Sequence, residues 1–284
     1  MSYFTRYDPE HGTWQGSAFW KAVHQTQEIL IPIETTNTHL ITGFVVLEDS
    51  EFPREGQNTL FDYAGESFRE SCASLTIHRE LGDPLLEQSY LITLLKLAHA
   101  IDQSNAPSLH HAVKTAFWAK NIAVHMQFSK PDLDQIELAS MLHDVGKVVV
   151  PKTILTKPSQ LSEQDWMIMR RHPTYGAMLM KPSFKLHDLI PFVEAHHEFF
   201  NGFGYPKGLV GEDIPIQARI ISIADAFATM TEPRVYRSAS TRSQAISELQ
   251  RCSGTQFDPE IVKIMVETTI LRDLDDSNCN WGVL

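Results

Sequence analysis

The chain has 284 residues, of which 43% are hydrophobic and 21% charged, and its formal net charge at pH 7 is −11. This composition is typical of a soluble globular protein with one large domain, or with one large and one smaller domain. The acidic balance argues against binding to duplex nucleic acid, which requires a basic surface. Apolar runs such as residues 91–97 are too short to cross a bilayer, so no membrane association is predicted.

The cysteines indicate a reducing compartment. Cys72, Cys252 and Cys279 are scattered and form no CxxC pair, so neither a disulfide framework nor a thiolate zinc site is expected. Free thiols persist in reducing environments, and the N-terminal residues lack the apolar core of a signal peptide. These features predict a cytoplasmic protein.

Residues 1–83 differ in pattern from the rest of the chain. Residues 28–34 and 39–48 are predicted to be strands, and residues 50–56 a loop because they combine Pro, Gly and charged side chains. We expect a small α+β region here; its role is unknown, and a regulatory role is one alternative.

From residue 84 onward the apolar residues follow helical spacing, as Leu91, Leu94, Leu95 and Ala98 illustrate. The fold class predicted for the chain is therefore mainly α, with a helical bundle over residues 84–272 and a polar tail over 273–284. The predicted helices are residues 85–101, 111–126, 132–142, 162–180, 189–199, 216–230, 242–249 and 259–268.

The pair His143-Asp144 is the first indication of chemistry. It follows the apolar residues Met141 and Leu142, so it lies at the edge of a buried face. A buried imidazole beside a carboxylate needs a polar partner. A divalent metal is one such partner, and this ligand pair suits Fe, Mn or Zn. Alone, however, the pair is more simply explained as two polar groups at a helix end.

Further residues with the same ligand chemistry lie beside apolar helical faces. Any one of them is more simply explained as an ordinary buried or surface residue. Together, that explanation would require a separate partner for each side chain. The additional candidates are His111, His172, His196, His197 and Asp225.

Residues 102–262 resemble an HD-GYP domain, a subgroup of the HD phosphohydrolase superfamily. The motif HHEFFNGFGYPKGLVGEDIP at residues 196–215 is long and specific, whereas the HD pair alone is not. It is preceded by LHDVGK at 142–147 and followed by ARIISIADAFATM at 218–230 and RVYRSA at 234–239, in the order that the family shows.

The resemblance implies an HD-type helical bundle with two divalent transition-metal ions, iron or manganese. It places His111, His143, Asp144 and Asp225 around one ion. Around the second it places Asp144, His172, His196 and His197, so that Asp144 bridges the two.

Some departures from the family pattern affect this interpretation. A third metal requires a Glu at the position of Pro107, which has no ligand atom in its side chain, so two metals are predicted. His110 makes the register ambiguous, and counting back from Ile122-Ala123 selects His111. Val235 replaces a proline without removing a ligand.

The resemblance also implies roles outside the metal ligands. Asp144 and Lys147 are the predicted catalytic residues, with Lys147 contacting the phosphate or protonating the leaving oxygen. The predicted substrate-binding residues are Gly202, Gly204, Tyr205, Pro206, Arg234 and Arg237. Alternatively, the glycine-rich loop only covers the end of the bundle, and Lys147 is a solvated surface lysine.

The function implied is a phosphodiesterase that hydrolyses cyclic di-GMP to linear pGpG, to GMP, or to both. The alternatives are hydrolysis of another cyclic dinucleotide such as cyclic GMP-AMP, and a non-catalytic cyclic dinucleotide receptor. The partners considered are a diguanylate cyclase or another signalling protein, and a second copy of the chain in a homodimer.

Overall fold

The computed structural model describes residues 7–8, 13–14, 28–34, 41–48, 76–78, 84–105, 111–232 and 239–275. The predictions for the loop at 50–56, for Pro107 and His110, and for the arginines Arg234 and Arg237 lie outside the described residues. The helical part is described almost continuously, and the candidate metal ligands all lie within it.

Short strands occupy the N-terminal region. β1 (Tyr7–Asp8) pairs antiparallel with β2 (Thr13–Trp14). β3 (Glu28–Glu34) pairs antiparallel with β4 (Ile41–Glu48), and β4 pairs in parallel with β5 (Thr76–His78). Both predicted strands are confirmed, although β4 begins two residues later than residue 39, where the prediction started it.

The remainder of the described chain is helical, which confirms the predicted fold class. Three 3₁₀ helices, Val145–Val149, Phe184–Leu189 and Gly211–Asp213, connect the α-helices. The α-helices are α1 (Pro84–Asn105), α2 (His111–His125), α3 (Lys130–Leu142), α4 (Lys152–Leu155), α5 (Glu163–Met169), α6 (His172–Met180), α7 (Ile190–Glu194), α8 (Ile216–Thr231), α9 (Arg242–Arg251) and α10 (Pro259–Asp275).

The prediction of one helix over residues 162–180 is wrong, because the structure has two. α5 begins with the capping box of Ser162 and Asp165 and ends at Met169. α6 then starts at His172 with Pro173 in its first turn. Proline has no N–H to donate to the preceding turn, so a helix can start at it but rarely continues through it. The break therefore places His172 at a helix start.

Three other helix predictions had ends wrong by four residues or more, and the first of them, predicted for 85–101, extends to Asn105. The helix predicted for 189–199 ends at Glu194, and the residues around His196 and His197 form a turn. At the other end of the chain, α10 extends to Asp275, beyond the predicted end at residue 268. The boundaries proposed at residues 83 and 272 stay predictions.

The chain divides into two compact units. The first comprises Met1–Asn105 and Asp144–Ile190. In its described part, the buried Tyr90 of α1 donates a hydrogen bond of 2.6 Å to the carbonyl of Leu179 in α6. The buried Glu87 carboxylate accepts from the N–H of Phe184 at 2.9 Å and from the hydroxyl of Ser183. These contacts fix α1 against the segment that follows α6.

The second unit comprises Ala106–His143 and Pro191–Leu284. Its core forms where α2 packs against α3 and α8. The rings of Trp118 and Phe227 meet edge to face at 4.8 Å, and Ile122 and Ile136 are fully buried. This packing holds the first turn of α2 beside α8, which brings His111 close to Asp225.

Within the described residues, no helix combines the length and the apolar character needed to span a membrane.

Candidate metal centre

In the first unit, Asp144 and His172 form a buried pair. Asp144 immediately precedes the 3₁₀ helix Val145–Val149, and His172 opens α6. The Oδ1 atom of Asp144 lies 3.1 Å from Nε2 of His172. Two ligand atoms that are each about 2.0–2.2 Å from one ion are about 3 Å apart, so this spacing suits a shared metal.

Gly146 allows this pair to form. A Cβ at residue 146 would lie 2.0 Å from the carbonyl oxygen of His172 and 2.4 Å from the backbone nitrogen of Gly176. The 3₁₀ helix therefore touches the backbone of α6 directly. Because Asp144 is two residues before this contact, its carboxylate reaches the His172 ring.

The protonation state of His172 favours metal binding. Burial lowers the pKa of His172, although the hydrogen bond to Asp144 raises it in part. The ring is therefore neutral at neutral pH and keeps a lone pair on one nitrogen.

In the second unit, His111, His143 and Asp225 converge. The Oδ1 atom of Asp225 lies 3.0 Å from Nε2 of His111 and 3.9 Å from Nε2 of His143. The centroids of the two imidazole rings are 5.7 Å apart. The Thr229 hydroxyl, one turn further along α8, donates to the same Asp225 oxygen at 3.3 Å.

The turn after α7 adds His196 and His197 to this unit. The His196 ring lies 5.1 Å from the ring of His143 and 4.1 Å from the ring of His197. His196 is fully buried, whereas His197 is partly exposed. A helix was predicted for this segment, so the sequence analysis did not predict the turn that brings these two consecutive histidines close together.

Three of these histidines share one backbone interaction. Nδ1 of each ring donates to the carbonyl three residues earlier: His143 to Ser140 at 2.6 Å, His172 to Met169 at 2.8 Å and His196 to Val193 at 2.6 Å. A carbonyl can only accept, so Nδ1 of each ring carries a proton, and in the neutral form of the ring the lone pair lies on Nε2. This arrangement is usual for metal-binding histidines.

Taken unit by unit, these side chains fit divalent transition metals. The ligand atoms of Asp144 and His172 lie within 4.8 Å of each other, as do those of His111 and His143 and those of His196 and His197. Neutral imidazole nitrogens with carboxylate oxygens suit Fe, Mn or Zn better than Mg²⁺, which prefers oxygen and water. The chain thus contains His and Asp clusters with the chemistry of a metal centre.

Lys147 lies beside the candidate ligand Asp144. Its Nζ is 2.5 Å from Asp144 Oδ2, and the side chain is largely buried. The ammonium group of Lys147 therefore lies next to a candidate ligand. A freely solvated surface lysine would not occupy such a position.

Glu198 fixes the GYP loop, which is the loop that carries Gly204, Tyr205 and Pro206. Its buried carboxylate accepts hydrogen bonds from three successive backbone N–H groups, those of Lys207 at 2.6 Å, Gly208 at 3.1 Å and Leu209 at 3.1 Å. A Cβ at Gly204 would lie 2.1 Å from the backbone nitrogen of Phe199. The loop therefore packs directly on the backbone that follows His197.

The remaining predicted substrate-binding residues are partly placed. The ring of Tyr205 lies 4.9 Å from that of His197, and the Tyr205–Pro206 peptide bond is cis. Gly202 has a φ of 84°, a conformation that favours glycine. Arg234 and Arg237 lie outside the described residues.

The sequence interpretation assigned no role to Gly146, Glu198 or Glu232. Gly146 and Glu198 lie within the quoted motifs, but their roles depend on contacts with backbone that a motif does not reveal. Glu232 directly follows α8 and is 2% exposed; its Oε2 lies 3.5 Å from Nδ1 of His111. The only available signal was a Glu after an apolar helix, which is too common to be informative.

Comparison with known proteins identifies the family. A family model described as HD domain matches residues 96–261, more than half of the chain, so the chain belongs to the HD domain family. The resemblance to HD-GYP domains is confirmed by this match together with the curated relatives.

Three of those relatives act on cyclic dinucleotides according to their names. The 3'3'-cGAMP-specific phosphodiesterase 2 of Vibrio cholerae is 36% identical over 173 residues, 60% of this chain and 33% of the relative. The cyclic di-GMP phosphodiesterase response regulator RpfG of Xanthomonas campestris is 35% identical over 61% of this chain and 47% of its own length. A cyclic di-GMP phosphodiesterase of Thermotoga maritima is 30% identical over 63% and 50%, respectively. The chain thus matches a third to a half of the length of these relatives.

Proposed function

We propose that this protein is a metal-dependent phosphodiesterase that hydrolyses cyclic di-GMP to linear pGpG, to GMP, or to both. The observation that carries the proposal is the set of oriented imidazoles beside Asp144 and Asp225. Membership in the HD domain family and the names of the relatives support the reaction class.

The two ligand sets are proposed to hold two ions, iron or manganese. One set is His111, His143, Asp144 and Asp225, and the other is Asp144, His172, His196 and His197. His143 and Asp144 are consecutive in the chain, so the polypeptide itself connects the first set with the second. Asp144 has two carboxylate oxygens and is the proposed bridge.

When bound, two such ions neutralise phosphate charge and make a water nucleophilic at neutral pH. The protein's own contribution begins with Asp144, whose Oδ1 lies 3.1 Å from Nε2 of His172, so the two ligand atoms are held side by side. Lys147 holds an ammonium group at the other oxygen, and we propose that it contacts the phosphate or gives its proton to the departing ribose oxygen.

The GYP loop is proposed to shape the substrate pocket through Gly202, Gly204, Tyr205 and Pro206. Because the ring of Tyr205 lies 4.9 Å from that of His197, its hydroxyl and outer edge are the groups proposed to meet substrate. Arg234 and Arg237 are proposed to contact phosphate or guanine, since guanidinium groups can bind both.

A second candidate substrate is 3'3'-cyclic GMP-AMP. The relative that is 36% identical to this chain is named as specific for this compound. Its name favours retaining cyclic GMP-AMP as a candidate substrate in addition to cyclic di-GMP. The two substrates differ in one base, so the contacts that discriminate them would lie at the base edges. We also propose a cytoplasmic location. The proposed protein partner is a signalling protein such as a diguanylate cyclase, or a second copy of the chain.

The test is hydrolysis by the full chain, purified without oxygen and loaded with Fe²⁺ or Mn²⁺. Cyclic di-GMP and 3'3'-cyclic GMP-AMP are supplied separately at equal concentration, and products are separated by chromatography. Linear pGpG or GMP from cyclic di-GMP at the higher rate supports the main proposal, and preferential cleavage of cyclic GMP-AMP selects the second substrate. Binding without any product at full metal occupancy would establish a receptor instead.

A further inference from the structure

Glu232 is a buried carboxylate that the proposed chemistry does not use. It directly follows α8, and its side chain is 2% exposed. Its Oε1 lies 2.6 Å from Nζ of Lys114, and its Oε2 lies 3.5 Å from Nδ1 of His111. We propose that Glu232 is a positioning residue that orients and polarises His111 for metal binding.

The geometry of α8 supports this role. Asp225 Oδ1 lies 3.0 Å from Nε2 of His111, and Glu232 follows about two helical turns later, near the same helix face. The two carboxylates therefore contact opposite nitrogens of one imidazole. With Nδ1 facing Glu232, the ring presents Nε2 beside Asp225, on the side where the ion is proposed.

The position of Glu232 is electrostatically unfavourable without such partners. A carboxylate at the C-terminal end of a helix meets the negative end of the helix dipole, and burial adds a desolvation cost. Lys114 lies one turn after His111 on α2 and supplies a compensating positive charge. Glu232 therefore lies between the ammonium group of Lys114 and the imidazole of His111.

Glu232 would give His111 a property that His143, His172 and His196 lack. His143, His172 and His196 direct Nδ1 to neutral backbone carbonyls, whereas His111 faces a charged carboxylate. A carboxylate partner makes a ligating imidazole more basic, and losing such a partner commonly weakens metal binding about 10–100-fold. The inference rests on the proposed metal centre, and it predicts that the two ions respond differently to a change at residue 232.

The experiment titrates the metal-free full chain with Co²⁺ and follows both binding steps by calorimetry and by the visible absorption of the bound ion. Glu232→Ala is expected to weaken one step about 10–100-fold, to alter its absorption band and to leave the other step unchanged. Glu232→Gln keeps an acceptor without the charge, so it should give an intermediate loss. This second variant also keeps the test valid if the alanine variant folds poorly.

Two matched controls separate positioning from general stability. Glu87→Gln changes another buried carboxylate, one hydrogen-bonded to Ser183 and Phe184, and should lower the melting temperature while both Co²⁺ steps stay as in the wild type. Lys114→Arg keeps a positive charge beside Glu232, so both Co²⁺ steps should stay close to those of the wild type.

The outcomes are distinguishable. Wild-type affinity and absorption in both Glu232 variants would overturn the inference and leave the proposed function intact. An equal weakening of both Co²⁺ steps in Glu232→Ala would also overturn it, because Glu232 would then support the fold in general and not His111. Absence of Co²⁺ binding by the wild-type chain would refute the metal centre itself.

Discussion

Asp144 contacts His172 through one carboxylate oxygen and Lys147 through the other, at 3.1 Å and 2.5 Å. The carboxylate is therefore held between an imidazole and an ammonium group. Substitutions at these positions, at Gly146 and in the GYP loop separate metal binding, chemistry and loop structure.

Replacing Asp144 by Asn is expected to remove at least one ion and to abolish hydrolysis. The amide keeps the shape of the carboxylate but carries no charge, so it binds a cation less well and cannot bridge two ions as an anion. Elemental analysis of anaerobically prepared protein gives the metal content, and chromatography of the product gives the rate.

Asp165→Asn is the matched control for this change. Asp165 lies in the same unit but accepts hydrogen bonds from the Ser162 N–H and from Lys157 at the start of α5, so its replacement should affect only the stability of this helix start. Both ions and full activity are expected in this variant. Full activity in Asp144→Asn would refute the two-metal proposal.

Gly146→Ala is expected to lower both stability and metal content. The new Cβ would collide with backbone atoms of His172 and Gly176, which cannot rotate away as a side chain would. Relief requires the 3₁₀ helix to move from α6, at a cost of about 1–3 kcal/mol or more, and this separates Asp144 from His172.

The control for Gly146 is Gly211→Ala. Gly211 has a φ of 57°, and a Cβ there would meet nothing within 4 Å, so this variant carries backbone strain without a collision. Melting temperature and elemental analysis are compared for both. Equal metal content in the two variants would show that close packing at Gly146 is not what positions Asp144.

The sequence predicted the helices whose ends carry clear signals. The starts of α2 and α8 and the strand β3 were predicted correctly, because apolar spacing and flanking turn residues mark them. The break before His172 had a visible signal in Pro173, which the continuous apolar pattern outweighed. The turn at His196 had none, since the preceding residues continue a helical pattern.

The candidate ligands could be predicted from the sequence because they lie in motifs that occur in a specific order. The contacts that support them could not be predicted, because these contacts join residues that are distant in the chain. The carboxylate of Glu232 meets the ring of His111 only when α2 and α8 pack, and Gly146 matters only because α6 touches it. Local patterns do not specify which backbone will lie against a glycine.

Lys147→Met is expected to keep both ions and to lower the rate of hydrolysis roughly 10²–10⁴-fold, the usual range for loss of a general acid. Methionine retains the apolar stem but cannot donate a proton or contact a phosphate by charge. Lys152→Met is the control, because Lys152 is an exposed residue of the neighbouring helix α4. Rates are measured at matched metal content. An unchanged rate in Lys147→Met would return Lys147 to a purely structural role beside Asp144.

The last prediction concerns Glu198 and the GYP loop. Glu198→Gln replaces a carboxylate that accepts three backbone N–H groups by an amide with only one acceptor oxygen. At least one of these donors then loses its acceptor, at a cost of up to about 1–3 kcal/mol, and the loop loosens. If the loop shapes the substrate pocket, KM for cyclic di-GMP should rise while cleavage of the small ester bis(p-nitrophenyl) phosphate is retained. This substitution is a cleaner test than a bulky residue at Gly204, where a side chain would collide with the Phe199 backbone beside the histidines.

Glu194→Gln provides the comparison, because Glu194 at the end of α7 contacts the same loop through Lys207. Glu194 pairs with the exposed ammonium group of Lys207 at 2.7 Å, a surface interaction worth about 0–1 kcal/mol, so its loss should leave both substrates unaffected. Both variants are assayed on both substrates at equal metal content.

If the two rates fall together in Glu198→Gln, the loop supports the adjacent histidines His196 and His197 and does not recognise substrate. If neither rate falls although the melting temperature drops, the loop lies outside the pocket. Selective loss of cyclic di-GMP cleavage is the result expected of a recognition loop, because the small ester requires only the ligand sets and Lys147.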